Sequence, residues 1–176
     1  MIEIEIRHYK DEFKYENELV RKAVRGIAFK NGKLLMIESK MAGDYKFPGG
    51  GVEKGETEFD ALIREVREES GHNVSKIGHI VFRIIETSKD KELDNTKFKM
   101  VSDYYLCEVD DGVDSLSLDD YEREMGFSPI WIGIEEAVKK NIEVSKSEKC
   151  TKWVERELLV LNEITNRKIS LTIASS

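Results

Sequence analysis

The chain reads as a mixed α/β fold. Three observations predict it: an Asn-Gly turn between two apolar runs, a glycine-rich loop leading into an amphipathic helix, and a further amphipathic helix toward the C-terminus. The predicted order is strands, helix, strands, short helix, long helix, which connects the strands too irregularly for a doubly wound parallel sheet.

The elements follow in order. Ile2–Arg7 alternates Ile with Glu and predicts a short edge strand. Residues 24–29 and 34–37 are apolar and flank Asn31-Gly32, a strong hairpin signal because both turn positions need positive φ. Residues 41–56 hold Pro48, Gly49, Gly50, Gly51 and Gly55 and predict a loop. In residues 57–70, Phe59, Leu62, Ile63 and Val66 recur at helical steps and predict a buried stripe, with Gly71 as the stop. Residues 74–87 and 98–109 predict strands joined by a charged, mobile segment, 88–97. The acidic stretch 117–128 predicts no element. Residues 129–134 predict a strand and 135–140 a short helix. Residues 148–164 predict an added C-terminal helix, spanning 145–165 at its widest, with Cys150, Val154, Leu158 and Leu161 on one stripe. The tail 166–176 is expected to be loose.

Length and charge narrow the function. The 176 residues suit one domain, with residues 1–20 as an N-terminal extension. The net charge of −7 disfavours a nucleic-acid binder, whose surfaces are usually basic. No apolar run approaches the roughly 18 residues of a membrane span, and the N-terminus does not resemble a signal peptide. Cys107 and Cys150 form no metal-spacing or CxxC pattern, so a reducing cytoplasm is expected, with both thiols buried. Residues 1–20 leave room for pairing with a second copy of the chain.

The chemistry concentrates in GGGVEKGETEFDALIREVREESG, residues 49–71. Glu65, Glu68 and Glu69 stand at i, i+3 and i+4 and so share a helix face. From Glu53 to Glu69 there are seven acids against three bases. Hard oxygen ligands of this kind suit Mg²⁺ or Mn²⁺ and leave positions open for substrate phosphates. A bound cation also inverts the field of an acidic pocket that would otherwise repel phosphate.

The spacing itself is specific. Gly50, Glu56, Arg64-Glu65-Val66, Glu68-Glu69 and Gly71 resemble the signature box of the Nudix hydrolase superfamily, and Phe47-Pro48-Gly49 resembles its lead-in. His72 departs from the box, standing where the family places an aliphatic residue, and is expected to be a packing variation. The likeness extends over about residues 24–141 and implies an α/β/α sandwich around a mixed sheet. It also implies metal-dependent hydrolysis of a nucleoside diphosphate linked to a group X, with a small-molecule substrate. Carried over by position, Glu65, Glu68, Glu69 and the Gly49 carbonyl become metal ligands, and Arg64 orients the catalytic glutamate. Glu56 ties loop to helix. Glu108 becomes a further acidic ligand at a strand end, and Glu124, with Glu122 beside it, a base from the acidic loop. The alternative is a regulatory module that keeps the fold and binds nucleotide without catalysis.

Overall fold

The computed structural model describes residues 1–8, 15–112, 114–148, 150–167 and 169. Seven strands make a mixed sheet: β1 (Ile2–Arg7), β2 (Asn17–Lys30), β3 (Lys33–Ser39), β4 (Asp44–Lys46), β5 (Val74–Lys89), β6 (Thr96–Val109) and β7 (Phe127–Ile132). The order is β1-β5-β6-β2-β3-β4, with β7 paired on β3. The β1–β5 and β2–β6 pairs are parallel and the others antiparallel. Helices α1 (Glu58–Ser70), α2 (Asp120–Met125), α3 (Ile134–Ser145) and α4 (Val154–Arg167) complete the fold. The result is the expected α/β/α sandwich, and none of the described helices is long and apolar enough to cross a membrane.

The hairpin forms where Asn31 and Gly32 both adopt positive φ, at 51° and 79°. Its two strands pair only at Phe29–Leu34 and Lys30–Lys33 before separating. From there β2 runs parallel to β6 along twelve paired residues, whereas β3 turns to β4 and β7. The separation opens the gap into which the glycine loop folds.

Strand alternation divides the core. On one face of β2 and β6, Val24 and Tyr105 pack with Ala61, Leu62 and Val66 of α1. On the other, Ile27, Tyr104 and Leu106 pack with Phe47, Phe82 and Val160, Leu161 and Ile164 of α4. The edge strand β1 contributes Ile6 to this second cluster.

Several expectations need correction. Phe59 and Ile63 are exposed at 52% and 41%. The buried stripe of α1 is Ala61, Leu62, Val66, Glu69 and Ser70 instead, so the helix is rolled to sink Glu69. A short strand, β4, lies in the predicted loop, because Asp44 and Tyr45 pair with Ser39 and Glu38. The segment 88–97 holds the last residues of β5 and the first of β6, joined by a turn over 90–95 in which the Asp90 carboxylate accepts from the N–H groups of Glu92 and Leu93. The acidic stretch contains α2, opened by a capping box between Asp119 and Glu122. Helix α4 starts at Val154, and Cys150 lies before it, exposed, while Cys107 is buried as expected. The turn preceding α4 is held by Thr151 Oγ1, which donates to Asp44. The expectation of a loose tail falls on residues that, apart from 166, 167 and 169, lie outside those described.

Candidate active site

The site begins with helix α1 and the loop before it. Thr57 caps α1 by accepting the Asp60 N–H at 3.1 Å, and Gly71 ends it in the left-handed region at φ 73°. Ahead of the cap, the loop crosses β2 so closely that side chains are excluded. A Cβ on Gly49, at φ +143°, would stand 2.1 Å from the Val24 carbonyl oxygen. Backbone bonds fix this crossing: Val24 N–H donates to Gly50 O at 2.9 Å and Gly26 N–H to Pro48 O at 2.8 Å.

Arg64 is the hub that joins loop to helix. Its guanidinium donates to Glu56 twice, at 2.8 and 3.0 Å, to Glu65 at 2.8 Å, to Glu68 at 3.1 Å and to the Gly51 carbonyl at 3.2 Å. Glu56 also accepts the Glu53 N–H at 3.0 Å. The hydrogen bonds from Arg64 hold the Glu56 carboxyl below its usual range and raise the guanidinium's own pKa. Glu56 and Arg64, expected to tie loop to helix and to orient a glutamate, thus lie in one hydrogen-bonded cluster with Glu65 and Glu68.

The carboxylates are not equivalent. Burial pushes the Glu65 carboxyl up, opposed by the bond from Arg64 and reinforced by the charge of Glu69. A Cβ on Gly50 would meet that carboxyl at 2.4 Å. Glu69 is 1% exposed and accepts the Gly49 N–H at 2.9 Å and the Lys46 ammonium at 2.5 Å. Glu68 is partly exposed at the mouth. Among the described residues no three acidic, histidine or cysteine side chains are drawn together closely enough to hold a metal as they stand. Arg64 and Lys46 occupy their oxygens instead. The Gly49 carbonyl is likewise engaged, by Arg25 Nη1.

The acidic loop contributes Glu122. Burial pushes its carboxyl up to about 7, aided by the charge of Glu69 and opposed by the Asp119 N–H and by Lys46. Glu124, two residues on, is exposed. Of the two acids of this loop, Glu122 is the one turned toward Glu69 and Lys46, and Glu124 faces solvent. The Asp-x-x-Glu spacing of residues 119–122 is the sequence signal for the capping box that sets these orientations. Glu108 is also apart from the cluster. It is exposed at the end of β6, opposite Lys76, and three residues beyond Tyr105, or ~10 Å at strand rise. His72 is buried at the helix exit, with its ring edge-on to Trp131 at 5.8 Å. Lys46 went unnoticed in the sequence, where it is one lysine among many.

The β4 strand that presents Lys46 is fixed from beneath by the C-terminal helices. Asn141 of α3 bonds both backbone polar groups of Tyr45, and Glu157 of α4 accepts the Phe47 N–H at 3.3 Å. Glu157 is fully buried, paired with Arg156 at 2.8 Å and bonded by Tyr104 at 3.2 Å.

A family model of the NUDIX domain matches residues 20–154. The chain belongs to the NUDIX family. Two curated relatives are similar to parts of it: an ADP-ribose pyrophosphatase of Methanocaldococcus jannaschii, 46% identical over 52 residues, 28% of this chain and 31% of that one, and a probable DHNTP pyrophosphohydrolase of Lactococcus lactis subsp. cremoris, 30% identical over 86 residues, 48% of this chain and 52% of that one. The matches thus span about a third and about half of those relatives' lengths. Among solved structures, a Bacillus subtilis pyrophosphohydrolase superimposes with a TM-score of 0.55 at 19% identity, covering 93% of this chain and 90% of that one. The ORF135 protein of E. coli gives 0.54 at 20% identity, covering 85% and 91%. These likenesses establish a shared fold.

Proposed function

We propose that the chain is a metal-dependent pyrophosphohydrolase acting on a nucleoside diphosphate linked to a group X. One observation carries the reading: the box glutamates share a single face, held by Arg64 and the glycine loop, and offer only oxygen donors. Such a donor set fits Mg²⁺ or Mn²⁺ rather than zinc, and Glu65, Glu68, Glu69 and the Gly49 carbonyl would hold it. Bound there, the cation would neutralise phosphate charge and make an attacking water more acidic.

The chain's own residues supply the rest. Arg64 fixes the carboxylates of Glu65 and Glu68 before substrate arrives. The glycine loop brings backbone close enough to touch phosphate oxygens. Glu122, poised near neutrality, accepts the proton from water as its oxygen attacks one phosphorus and the P–O bond of the bridging oxygen breaks. The products are a nucleoside monophosphate and phosphorylated X, or pyrophosphate when the substrate is a triphosphate. The two free cysteines suit a reducing compartment, and we place the reaction in the cytoplasm.

The test is turnover across nucleoside triphosphates, nucleotide sugars, ADP-ribose, DHNTP and dinucleoside polyphosphates, with Mg²⁺ and Mn²⁺. We expect metal-dependent hydrolysis of at least one, falling on the order of 10³-fold in Glu69→Gln. Nucleotide binding without turnover on any compound would overturn the reading in favour of a regulatory module.

A further inference from the structure

The hydrolytic scheme gives Lys46 no task, yet it is the most enclosed cation of the site. The Lys46 and Glu69 side chains are 9% and 1% exposed and 2.5 Å apart. The ammonium also stands 4.7 Å from the centre of the Phe127 ring. Its charge acts on two further carboxyls, drawing both Glu65 and Glu122 downward against their burial. One ammonium is thus seated between the Glu69 carboxylate and an aromatic face.

We propose that Lys46 is a built-in cation that holds Glu69 and yields it to the metal, so that ammonium and divalent ion compete for one carboxylate. The inference rests on the metal-dependent reading above. A buried carboxylate without a partner is costly to keep ionised. Lys46 supplies that partner, while the Gly49 N–H fixes the other oxygen. A divalent ion arriving at Glu69 meets a positive charge already seated on it and must displace that charge. Lysine suits the exchange because it is a point charge on a flexible stem. An arginine, clamped bidentately, would resist it. The consequence is a raised threshold of free metal for loading the site.

The test is Mn²⁺ titration of the full chain by calorimetry, without substrate. Lys46→Met is expected to bind Mn²⁺ about tenfold more tightly than the unaltered protein, the scale of one contact to a charged group. Equal or weaker binding overturns the proposal. Should the variant fold poorly, the unaltered protein decides. Brief acetylation with an N-hydroxysuccinimide ester, read by mass spectrometry, is expected to modify Lys46 several-fold faster in saturating Mg²⁺ than in chelator, with the exposed Lys22 unchanged. Equal Lys46 reactivity in both conditions overturns the proposal. If the protein hydrolyses its substrate but Lys46→Met binds no tighter, only this inference falls. If it binds no Mn²⁺ at all, the hydrolase reading falls with it.

Discussion

Asn141 clasps the backbone of Tyr45, accepting its N–H and donating to its carbonyl oxygen, each at 2.8 Å. Both partners are buried, and Tyr45 immediately precedes Lys46. The side chain therefore stands in for a neighbouring strand and fixes the approach to the glycine loop. Asn141→Leu strips both bonds and leaves two backbone groups unpaired. We expect a loss of about 2–4 kcal/mol, seen as a lower urea midpoint at unchanged slope.

Gly50 has no room for a side chain against Glu65. In Gly50→Ala the methyl carbon would have to displace the Glu65 carboxyl, which lies at 2.4 Å. The carboxyl is the end of a flexible side chain, so the fold survives while the cluster is disturbed. We expect turnover to fall about 10- to 100-fold, as for losses of support around a metal, with the melting temperature little changed. Gly49→Ala differs, because its methyl group would meet Val24 backbone at 2.1 Å. That variant is expected to lose more than about 3 kcal/mol of stability.

Replacing Arg64 with Lys keeps the charge and removes the fork. One ammonium cannot reproduce bonds to Glu56, Glu65, Glu68 and Gly51 O together. The expected outcome is a drop in kcat of about 10- to 100-fold, with the glycine loop more open to proteolysis. Unchanged kcat would show that the hub is dispensable.

Glu122 imposes a pH dependence with a definite sign. Its carboxyl, ordinarily near 4.5, stands at about 7 in the folded chain. The folded state thus holds the proton more tightly than the unfolded one. Stability is favoured below about pH 4.5 and declines through the window up to about 7 as the folded state gives up that proton. Melting temperatures taken in chelator should fall across this window less steeply for Glu122→Gln than for the unaltered chain. Identical slopes would remove Glu122 from the account.

Glu108 and Glu124 serve as contrasts. Both are exposed and outside the cluster. Glu108→Gln and Glu124→Gln are each expected to leave kcat/KM within about twofold, the effect of ordinary surface changes being small. A loss beyond that in either would mean that the loop or strand end rearranges on substrate binding.

What was legible in the sequence was what short-range patterns encode. The Asn31-Gly32 turn, the Thr57 to Gly71 helix and the box glutamates each have local spacing rules, and each stands where those rules put it. What escaped depends on distant partners. Glu122 is distinguished from Glu124 by which side of a six-residue helix meets Glu69. Phe59 and Glu69 exchange their expected burial because tertiary packing sets the roll of α1. Glu108, expected to reach the site from a strand end, stands just beyond the last residue of β6 that pairs with β2, exposed and opposite Lys76. Lys46 acquires its meaning only when a residue 23 positions away is folded against it.

The bond from the Phe47 N–H to Glu157 has a consequence for the order of assembly during synthesis. The glycine loop and the box are complete early in the chain, but the buried acceptor under Phe47 arrives with α4, more than a hundred residues later. A nascent chain extruded only through Ser145 would carry every box glutamate and the Asn141 clasp on Tyr45, and still lack the Glu157 acceptor beneath Phe47. The support beneath Phe47 therefore forms only after α4 has been synthesised.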